Sequence, residues 1–167
     1  MHKPEPAGRR EVSITTIVNG NKISCRAPSN YTLAELLREK LNLTGTKLGC
    51  NRAECGVCTV LLDSVPVFSC TTLAVEANDR NVETVEGLAN DGRLHPLQRA
   101  FVEQDALQCG FCTPGLLMSL KALFDRERRP SMDQVKDAIA GNYCRCGAYQ
   151  NIFQAAMQAI QHSARRD

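Results

Sequence analysis

The stretch from Gly49 to Cys58 reads GCNRAECGVC, and it decides what this chain folds around. Its three cysteines follow the pattern Cys-x4-Cys-x2-Cys, and a fourth, Cys70, comes after eleven intervening residues. This is the plant-type spacing of the ligands of a [2Fe–2S] cluster. Three ligands on one loop can wrap a rigid cluster while the fourth arrives from a separate element. The pattern therefore predicts a loop that encloses a cluster.

Glycines surround this first cysteine set. Gly45, Gly49 and Gly56 are expected to supply the φ freedom and small size that let backbone N–H groups approach the sulfurs. Such hydrogen bonds stabilise negative charge on sulfur and help to set the reduction potential. The alternative is a zinc site, which is usually built from paired Cys-x2–4-Cys knuckles. Because only Cys55 and Cys58 form such a knuckle here, the spacing favours iron–sulfur.

A second cysteine set lies in the C-terminal half of the chain. Cys109 and Cys112 come just before a predicted helix, whereas Cys144 and Cys146 lie in a loop between two other helices. A helical bundle could bring both loops together around a second cluster. By spacing alone, zinc also fits a Cys-x2-Cys pair with a Cys-x-Cys pair. The ninth cysteine, Cys25, falls in a predicted strand, and we expect it to be a buried structural thiol.

The N-terminal half has the pattern of strands around one helix. Asn19-Gly20 offers a type I′ turn between two strands rich in β-branched residues. A capping box from Thr32 to Glu35 starts a helix whose leucine face runs to about Leu41. Strands are predicted at 11–18, 21–26, 59–63, 65–69 and 82–85. This mixture indicates a compact α+β unit.

The C-terminal half is predicted to be helical. Pro114 suits the first turn of a helix, Ser131 begins a second capping box, and Gly141 fits a helix end. Helices are predicted at 95–105, 114–127, 132–140 and 151–163. Four short helices with brief connections indicate a small bundle. We therefore expect an α+β fold with two domains, at residues 11–84 and 85–163.

Composition and charge exclude several classes of protein. The net charge is +2, from 20 basic and 18 acidic residues, and aromatic residues are few, so nucleic-acid binding is not expected. No apolar run approaches the roughly 20 residues of a transmembrane helix. The pair Arg9-Arg10 is not followed by an apolar stretch, so we expect no export signal and a cytoplasmic protein. In a reducing cytoplasm, nine cysteines favour metal binding over disulfides.

Three cysteine blocks together resemble one protein family. They are LGC-x4-CGVCTV around Cys50, LQCGFCTPG around Cys109 and GNYCRC around Cys144, in that order. The combination resembles the small iron–sulfur subunit, or the corresponding N-terminal region, of the xanthine oxidase family of molybdenum hydroxylases. The likeness covers residues 12–161. Tyr143 and the segment 147–149 differ from the commoner family wording, but these differences spare the cysteines.

The resemblance implies a fold, two clusters and partners. It implies an N-terminal ferredoxin-like β-grasp domain and a C-terminal four-helix domain, each with one [2Fe–2S] cluster. It further implies a large subunit that binds molybdopterin and converts the substrate, and a medium subunit that binds FAD. Electrons would pass from molybdenum through the helical-domain cluster and the ferredoxin-like cluster to FAD. The family's pterin-contacting glutamine matches Gln108. The implied cluster ligands are Cys50, Cys55, Cys58 and Cys70 for one cluster, and Cys109, Cys112, Cys144 and Cys146 for the other.

Two other classes of function fit the same cysteines. One is a free-standing two-cluster ferredoxin that docks transiently with several enzymes, and the other is an iron–sulfur redox sensor. An obligate subunit should expose a hydrophobic docking face when isolated, whereas a free carrier needs none. The sequence leaves open the substrate of the complex, which could be a purine, another N-heterocycle, an aldehyde, carbon monoxide or an aromatic thioester.

Overall fold

A computed structural model of the chain describes residues 10–164, with side chains described as far as Gln161. Arg9 of the arginine pair lies outside the described residues. The strands are β1 (Glu11–Val18), β2 (Asn21–Pro28), β3 (Thr59–Leu62), β4 (Val65–Phe68) and β5 (Asn81–Glu83). They form one sheet in the order β2-β1-β5-β3-β4. β5 runs parallel to β1, and the other neighbouring pairs are antiparallel.

The β1–β2 hairpin forms where its turn residues predict it. Asn19 and Gly20 have φ values of 50° and 80°, and a type I′ turn needs positive φ at both positions. Along β1, Ile14 and Val18 are buried on one face of the sheet. Cys25 in β2 is half-buried and packs against the core of the sheet, so the predicted burial of this thiol is only partial. β2 is an edge strand, which leaves this thiol covered on one side only.

The N-terminal helix extends as far as predicted, but most of it is π-helical. Its capping box is present, because Thr32 Oγ1 accepts from the Glu35 N–H at 3.2 Å and Glu35 Oε2 accepts from the Thr32 N–H at 2.7 Å. The α-helical part, α1 (Leu33–Glu35), continues as a π-helical segment (Leu36–Lys40). It closes with a bond from the Leu41 N–H to the Leu36 carbonyl. From this segment, the Arg38 guanidinium reaches the carbonyls of Thr44 and Thr46 and secures the chain leading to Cys50.

The C-terminal half contains the four predicted helices. They are α2 (Pro96–Glu103), α3 (Thr113–Arg126), α4 (Met132–Ile139) and α5 (Tyr149–Ala164). The Ser131 capping box starts α4, with Ser131 Oγ accepting from the Gln134 N–H at 3.3 Å. α5 packs on α2 and α4, and α3 packs on α4. The α+β class is therefore confirmed. No helix within residues 10–164 is long and apolar enough to cross a bilayer.

The strand β3 connects two hydrophobic cores. Val60 and Leu62 pack with the α1 leucines in a core on one face of the sheet. Leu61 points to the other face and packs among the residues of α3, including Leu116 and Leu120. All four residues of β3 are buried. The sheet and the helices therefore share this strand, and the loop that precedes it carries three of the predicted ligands.

Candidate iron–sulfur sites

The first cysteine set lies on a tightly curled loop before β3. Asn51, Ala53 and Gly56 all have positive φ, at 56°, 59° and 66°. Two of these are not glycines, so the loop holds backbone strain that an L side chain ordinarily avoids. The curl turns Cys50 and Cys55 towards each other at the partly exposed side of the loop.

Positions 45 and 49 require glycine for its small size and not for a positive φ. Of the three glycines predicted to need unusual φ, only Gly56 has a positive value. A Cβ on Gly49 would lie 3.2 Å from Cys55 Sγ, and a Cβ on Gly45 would lie 2.5 Å from Val85 Cγ1. At these two positions, only the expected small size is therefore confirmed.

The four thiols of the first set form an outer and an inner pair. Cys50 Sγ accepts from the backbone N–H groups of Glu54 and Cys55 at 3.3 and 3.4 Å, and the Cys55 thiol also interacts with it. Cys58 and Cys70 are buried, and their thiols interact with each other. Cys70 is held there because Ser69 Oγ donates to the Cys58 carbonyl at 2.6 Å. The elements β3 and β4 thus bring the distant fourth cysteine to the loop.

The second set has the same arrangement on the helical side. The loops before α3 and α5 meet, and Cys109 Sγ lies 3.5 Å from Cys146 Sγ in an exposed pair. Cys112 and Cys144 are buried, and their thiols interact with each other. The structure thus brings together all four cysteines that the sequence placed in two separate loops.

In each set, one inner and one outer thiol differ in acidity, whereas the inner Cys144 has a lowered pKa because the effect of its burial is outweighed by hydrogen bonds from backbone N–H groups, first that of Ala148. Burial raises the pKa of Cys58 and of Cys112 to about 12 each. Hydrogen bonds from backbone N–H groups, first that of Arg52, lower the pKa of Cys50 to about 6. The Phe111 N–H and the Cys146 thiol lower the pKa of Cys109. Each set therefore has a sulfur at its outer edge that is stabilised as thiolate before any metal arrives.

This difference predicts selective alkylation of the metal-free, reduced chain. At pH 7, Cys50 is above its pKa of about 6 and is mostly thiolate, whereas Cys58 is far below its pKa of about 12. Because the thiolate is the nucleophile, iodoacetamide should modify Cys50 first, with a rate that levels off above about pH 6. Peptide mass spectrometry over a pH series measures both rates. In urea, the pKa of both thiols should approach the ordinary value of about 8.5. If the alkylation rates of the folded chain depended on pH in the same way as those in urea, the difference in acidity between Cys50 and Cys58 would be contradicted.

A backbone hydrogen bond links the two cysteine sets, and a cavity lies between them. The Tyr143 N–H, next to Cys144, donates to the carbonyl of Cys55 at 2.9 Å. A cavity of about 290 Å³ lies between the sets. It is lined by Gly49, Cys50, Cys55, Val57, Cys109, Phe111, Cys112, Tyr143 and Arg145. Cys55, a predicted ligand of one set, is thus hydrogen-bonded to the residue that directly precedes Cys144, a predicted ligand of the other.

An exposed apolar rim surrounds the outer thiols of the second set. Leu107, Phe111 and Tyr143 are 40%, 46% and 50% exposed. Gln108, the predicted pterin contact, is also exposed and directly precedes the exposed Cys109. Exposed large apolar side chains around a redox group are typical of a docking surface. This is the feature expected of a subunit that works within a complex.

Two residues at this junction were not singled out from the sequence. Asn142 is buried and bonds to the first cysteine loop, and the Tyr149 hydroxyl accepts from the Cys144 N–H at 2.8 Å and donates to the Asn142 carbonyl at 3.1 Å. Both lie within a few residues of Cys144. The Asn142 amide bonds to the distant first cysteine loop, whereas both partners of the Tyr149 hydroxyl are local. In the sequence, the only indication of these contacts was a polar residue close to the predicted ligand Cys144.

The donor set fits an iron–sulfur cluster. Each set offers four free thiols in two pairs, and a [2Fe–2S] cluster takes two protein ligands at each iron. Cys50 already accepts two N–H bonds of the kind that tune such clusters. Among the described residues, no three Cys, His, Asp or Glu side chains converge on one point as the ligands of a single ion.

Comparison with known proteins assigns a cluster to each half. Residues 16–89 match the family described as "2Fe-2S iron-sulfur cluster binding domain", and residues 84–157 match the "[2Fe-2S] binding domain" family. The prediction of two [2Fe–2S] clusters in this chain is confirmed. The ranges meet within the segment where the sequence placed a domain boundary.

Full-length relatives are subunits of oxidoreductase complexes. The chain is 51% identical to the 6-hydroxypseudooxynicotine dehydrogenase complex subunit beta of Paenarthrobacter nicotinovorans, over 88% of this chain and 92% of that one. It is 45% identical to the nicotine 6-hydroxylase small subunit of the same organism, over 95% and 94%. In the solved structure of quinoline 2-oxidoreductase from Pseudomonas putida 86, a 39% identical chain superimposes with a TM-score of 0.89, over 93% and 97%. The chain belongs to the iron–sulfur small subunits of the xanthine oxidase family of molybdenum hydroxylases.

Proposed function

We propose that eight cysteines of this chain hold the two [2Fe–2S] clusters that carry electrons out of a molybdenum hydroxylase. Cys50, Cys55, Cys58 and Cys70 would hold one cluster, and Cys109, Cys112, Cys144 and Cys146 would hold the other. The observation that supports this assignment most directly is the thiol pairing, two pairs in each set, each set with one buried and one outer pair. When bound, the clusters supply one-electron redox chemistry.

The residues around the cysteines give the two sets different tasks. The outer pair Cys109 and Cys146 is exposed beside Gln108 within an apolar rim, which suits contact with the large subunit and its molybdopterin. The hydrogen bond from the Tyr143 N–H to the Cys55 carbonyl links this set to the first one. The loop from Gly49 to Cys58 would then face the electron acceptor. We propose FAD on a medium subunit as that acceptor.

We also propose the division into domains that the sequence predicted. Residues 11–84 would form the ferredoxin-like β-grasp domain and residues 85–163 the four-helix domain. The two hydrophobic cores support this division, since one lies between the sheet and α1 and the other among the helices. Leu61 and Val57 pack with the helices, so the domains would share an apolar contact at β3.

The relatives suggest a substrate class and a compartment. Two of them are named for nicotine or a nicotine-derived compound and the solved structure for quinoline, all nitrogen heterocycles. We propose that the complex oxidises a nitrogen heterocycle at a site on its large subunit. We also propose that it works in the cytoplasm, where a reducing environment keeps all nine cysteines unpaired and leaves eight of them available for clusters.

Isolation of the native complex tests this function. Affinity purification through this chain should recover a molybdopterin-containing large subunit, with about four iron and about four sulfide per small subunit. EPR of the reduced complex should show two inequivalent cluster signals. Stoichiometric zinc without sulfide would contradict the cluster assignment, and a fully loaded chain that purifies alone would instead favour the free ferredoxin.

Gln108→Ala tests the proposed contact with the pterin. Glutamine is not a cluster ligand, so both EPR signals and the iron content should be unchanged. Loss of one hydrogen bond at the interface should weaken association with the large subunit by up to about tenfold. Dissociation on dilution of the complex measures this effect. Gln161→Ala, at an exposed position near the end of α5, is the matched control and should leave association unchanged; equal dissociation of the two variants would argue against the contact.

A further inference from the structure

Asn142 is a buried polar residue with both ends of its amide bonded. The residue is 4% exposed and is one of seven buried polar residues in the part of the chain that the structure describes. Nδ2 donates to the Gly56 carbonyl at 2.8 Å, and Oδ1 accepts from Ser119 Oγ at 2.8 Å. A buried amide that satisfies both ends in this way is held in one orientation.

The polarity of the network determines that orientation. The Gly56 carbonyl can only accept, so the amide NH2 group must face it, and the amide oxygen then faces the Ser119 hydroxyl. The same carbonyl accepts from Thr59 Oγ1 at 2.7 Å and from the Thr59 N–H at 3.1 Å. A carboxylate at position 142 could not replace this donor, and an apolar side chain would leave Ser119 unpartnered at this point.

Gly56, Asn142 and Ser119 lie in or next to the segments that carry the two cysteine sets. Gly56 stands between Cys55 and Cys58 in the first loop, and Asn142 stands two residues before Cys144. Ser119 lies on α3, the helix that begins directly after Cys112. The Asn142 amide therefore ties the loop of one set to two parts of the other.

The backbones of the two cysteine loops and of α3 pack so closely here that a Cβ would not fit between them. A Cβ on Gly56 would lie 2.2 Å from the Gly141 carbonyl oxygen, and a Cβ on Gly115 would lie 2.3 Å from the Gly56 carbonyl oxygen. Small shifts between the two loops cannot be absorbed by side chains, because backbone faces backbone. A hydrogen-bonded amide across such a contact keeps the two loops in register.

We propose that Asn142 is a positioning residue that sets the separation and relative orientation of the two iron–sulfur clusters. This inference rests on the proposed assignment of the eight cysteine ligands. The Asn142 side chain hydrogen-bonds to Gly56, Ser119 and Thr59, none of them a proposed ligand, so it acts on the clusters through these contacts. Electron transfer between two centres falls steeply with distance, so the amide protects the inter-cluster step.

EPR of the complete complex tests the proposal with Asn142→Ser. In the fully reduced protein, the two paramagnetic clusters broaden each other's signals by dipolar interaction, which is absent in half-reduced protein. Serine is too short to reach the Gly56 carbonyl and Ser119 together, so the variant should lose much of this interaction or show a spread of values, with iron content unchanged. Asn151→Ser is the matched control, because Asn151 Nδ2 also donates to a backbone carbonyl, that of Gln104, but within the helical half. The control should retain the wild-type interaction.

The outcomes separate this inference from the proposed function. An unchanged dipolar interaction in a fully loaded Asn142→Ser protein would overturn the inference alone. If that variant loses a cluster, Ser119→Ala decides instead, because it frees Oδ1 and leaves the Gly56 bond to an unanchored amide. A partial loss of interaction in Ser119→Ala supports the proposal, and a wild-type value overturns it. A wild-type protein without two clusters would overturn the proposed function and this inference with it.

Discussion

Cys55→Ser should remove about half of the iron bound to each chain, together with one of the two EPR signals. The reason is that Cys55 belongs to the outer pair of the first set, whereas the second set is held by loops at the ends of three helices. Cys112→Ser should remove the other signal and retain the first. In the assembled complex, Cys55→Ser should still let substrate reduce the molybdenum centre but should abolish reduction of the acceptor. Rapid-mixing EPR measures each centre separately.

Cys25→Ser is the control for this experiment. Cys25 is also a free thiol, but it lies in β2 outside both sets, so its variant should keep all the iron. Loss of both signals in Cys55→Ser would show that the two clusters do not assemble independently. If substrate still reduced molybdenum in Cys55→Ser but no longer reduced the helical-domain cluster, the order of the two clusters would be the reverse of the one proposed.

Gly56→Ala should destabilise the protein by about 3–5 kcal/mol. The new Cβ would lie 2.2 Å from the Gly141 carbonyl oxygen and 2.7 Å from Asn142 Nδ2, on a residue whose φ of 66° an L side chain rarely adopts. The main clash is with backbone, so it cannot be relieved by rotating a side chain. Urea unfolding should show the loss, and the iron content should fall because Gly56 stands between two ligands.

Gly92→Ala separates the clash from the backbone strain. Gly92 has a φ of 73°, close to that of Gly56, but a Cβ there meets no atom within 4 Å. This variant should lose only about 1–2 kcal/mol, the strain of a left-handed alanine, and should keep its iron. Equal destabilisation by the two substitutions would mean that the close approach of the loops contributes nothing.

Local sequence determined the elements and the two cysteine groups of this protein. The Asn19-Gly20 turn, the capping boxes at Thr32 and Ser131 and the four C-terminal helices form where neighbouring residues predict them. Each depends on contacts within a few residues, such as a side chain that caps its own helix. The cysteine spacing works in the same way, because three ligands on one loop need only local curvature.

Tertiary structure decided how the parts meet. The parallel insertion of β5 between β1 and β3, the burial of β3 on both faces and the π-helical turn after Glu35 have no local pattern that predicts them. The pairing of Cys112 with Cys144 and the bond from Asn142 to Gly56 join residues 32 and 86 positions apart. Such contacts form only when whole elements pack, because each needs a partner that the surrounding sequence does not contain. Sequence therefore determined which residues can hold the clusters, and the packing of helices on the sheet decided how the two sites lie relative to each other.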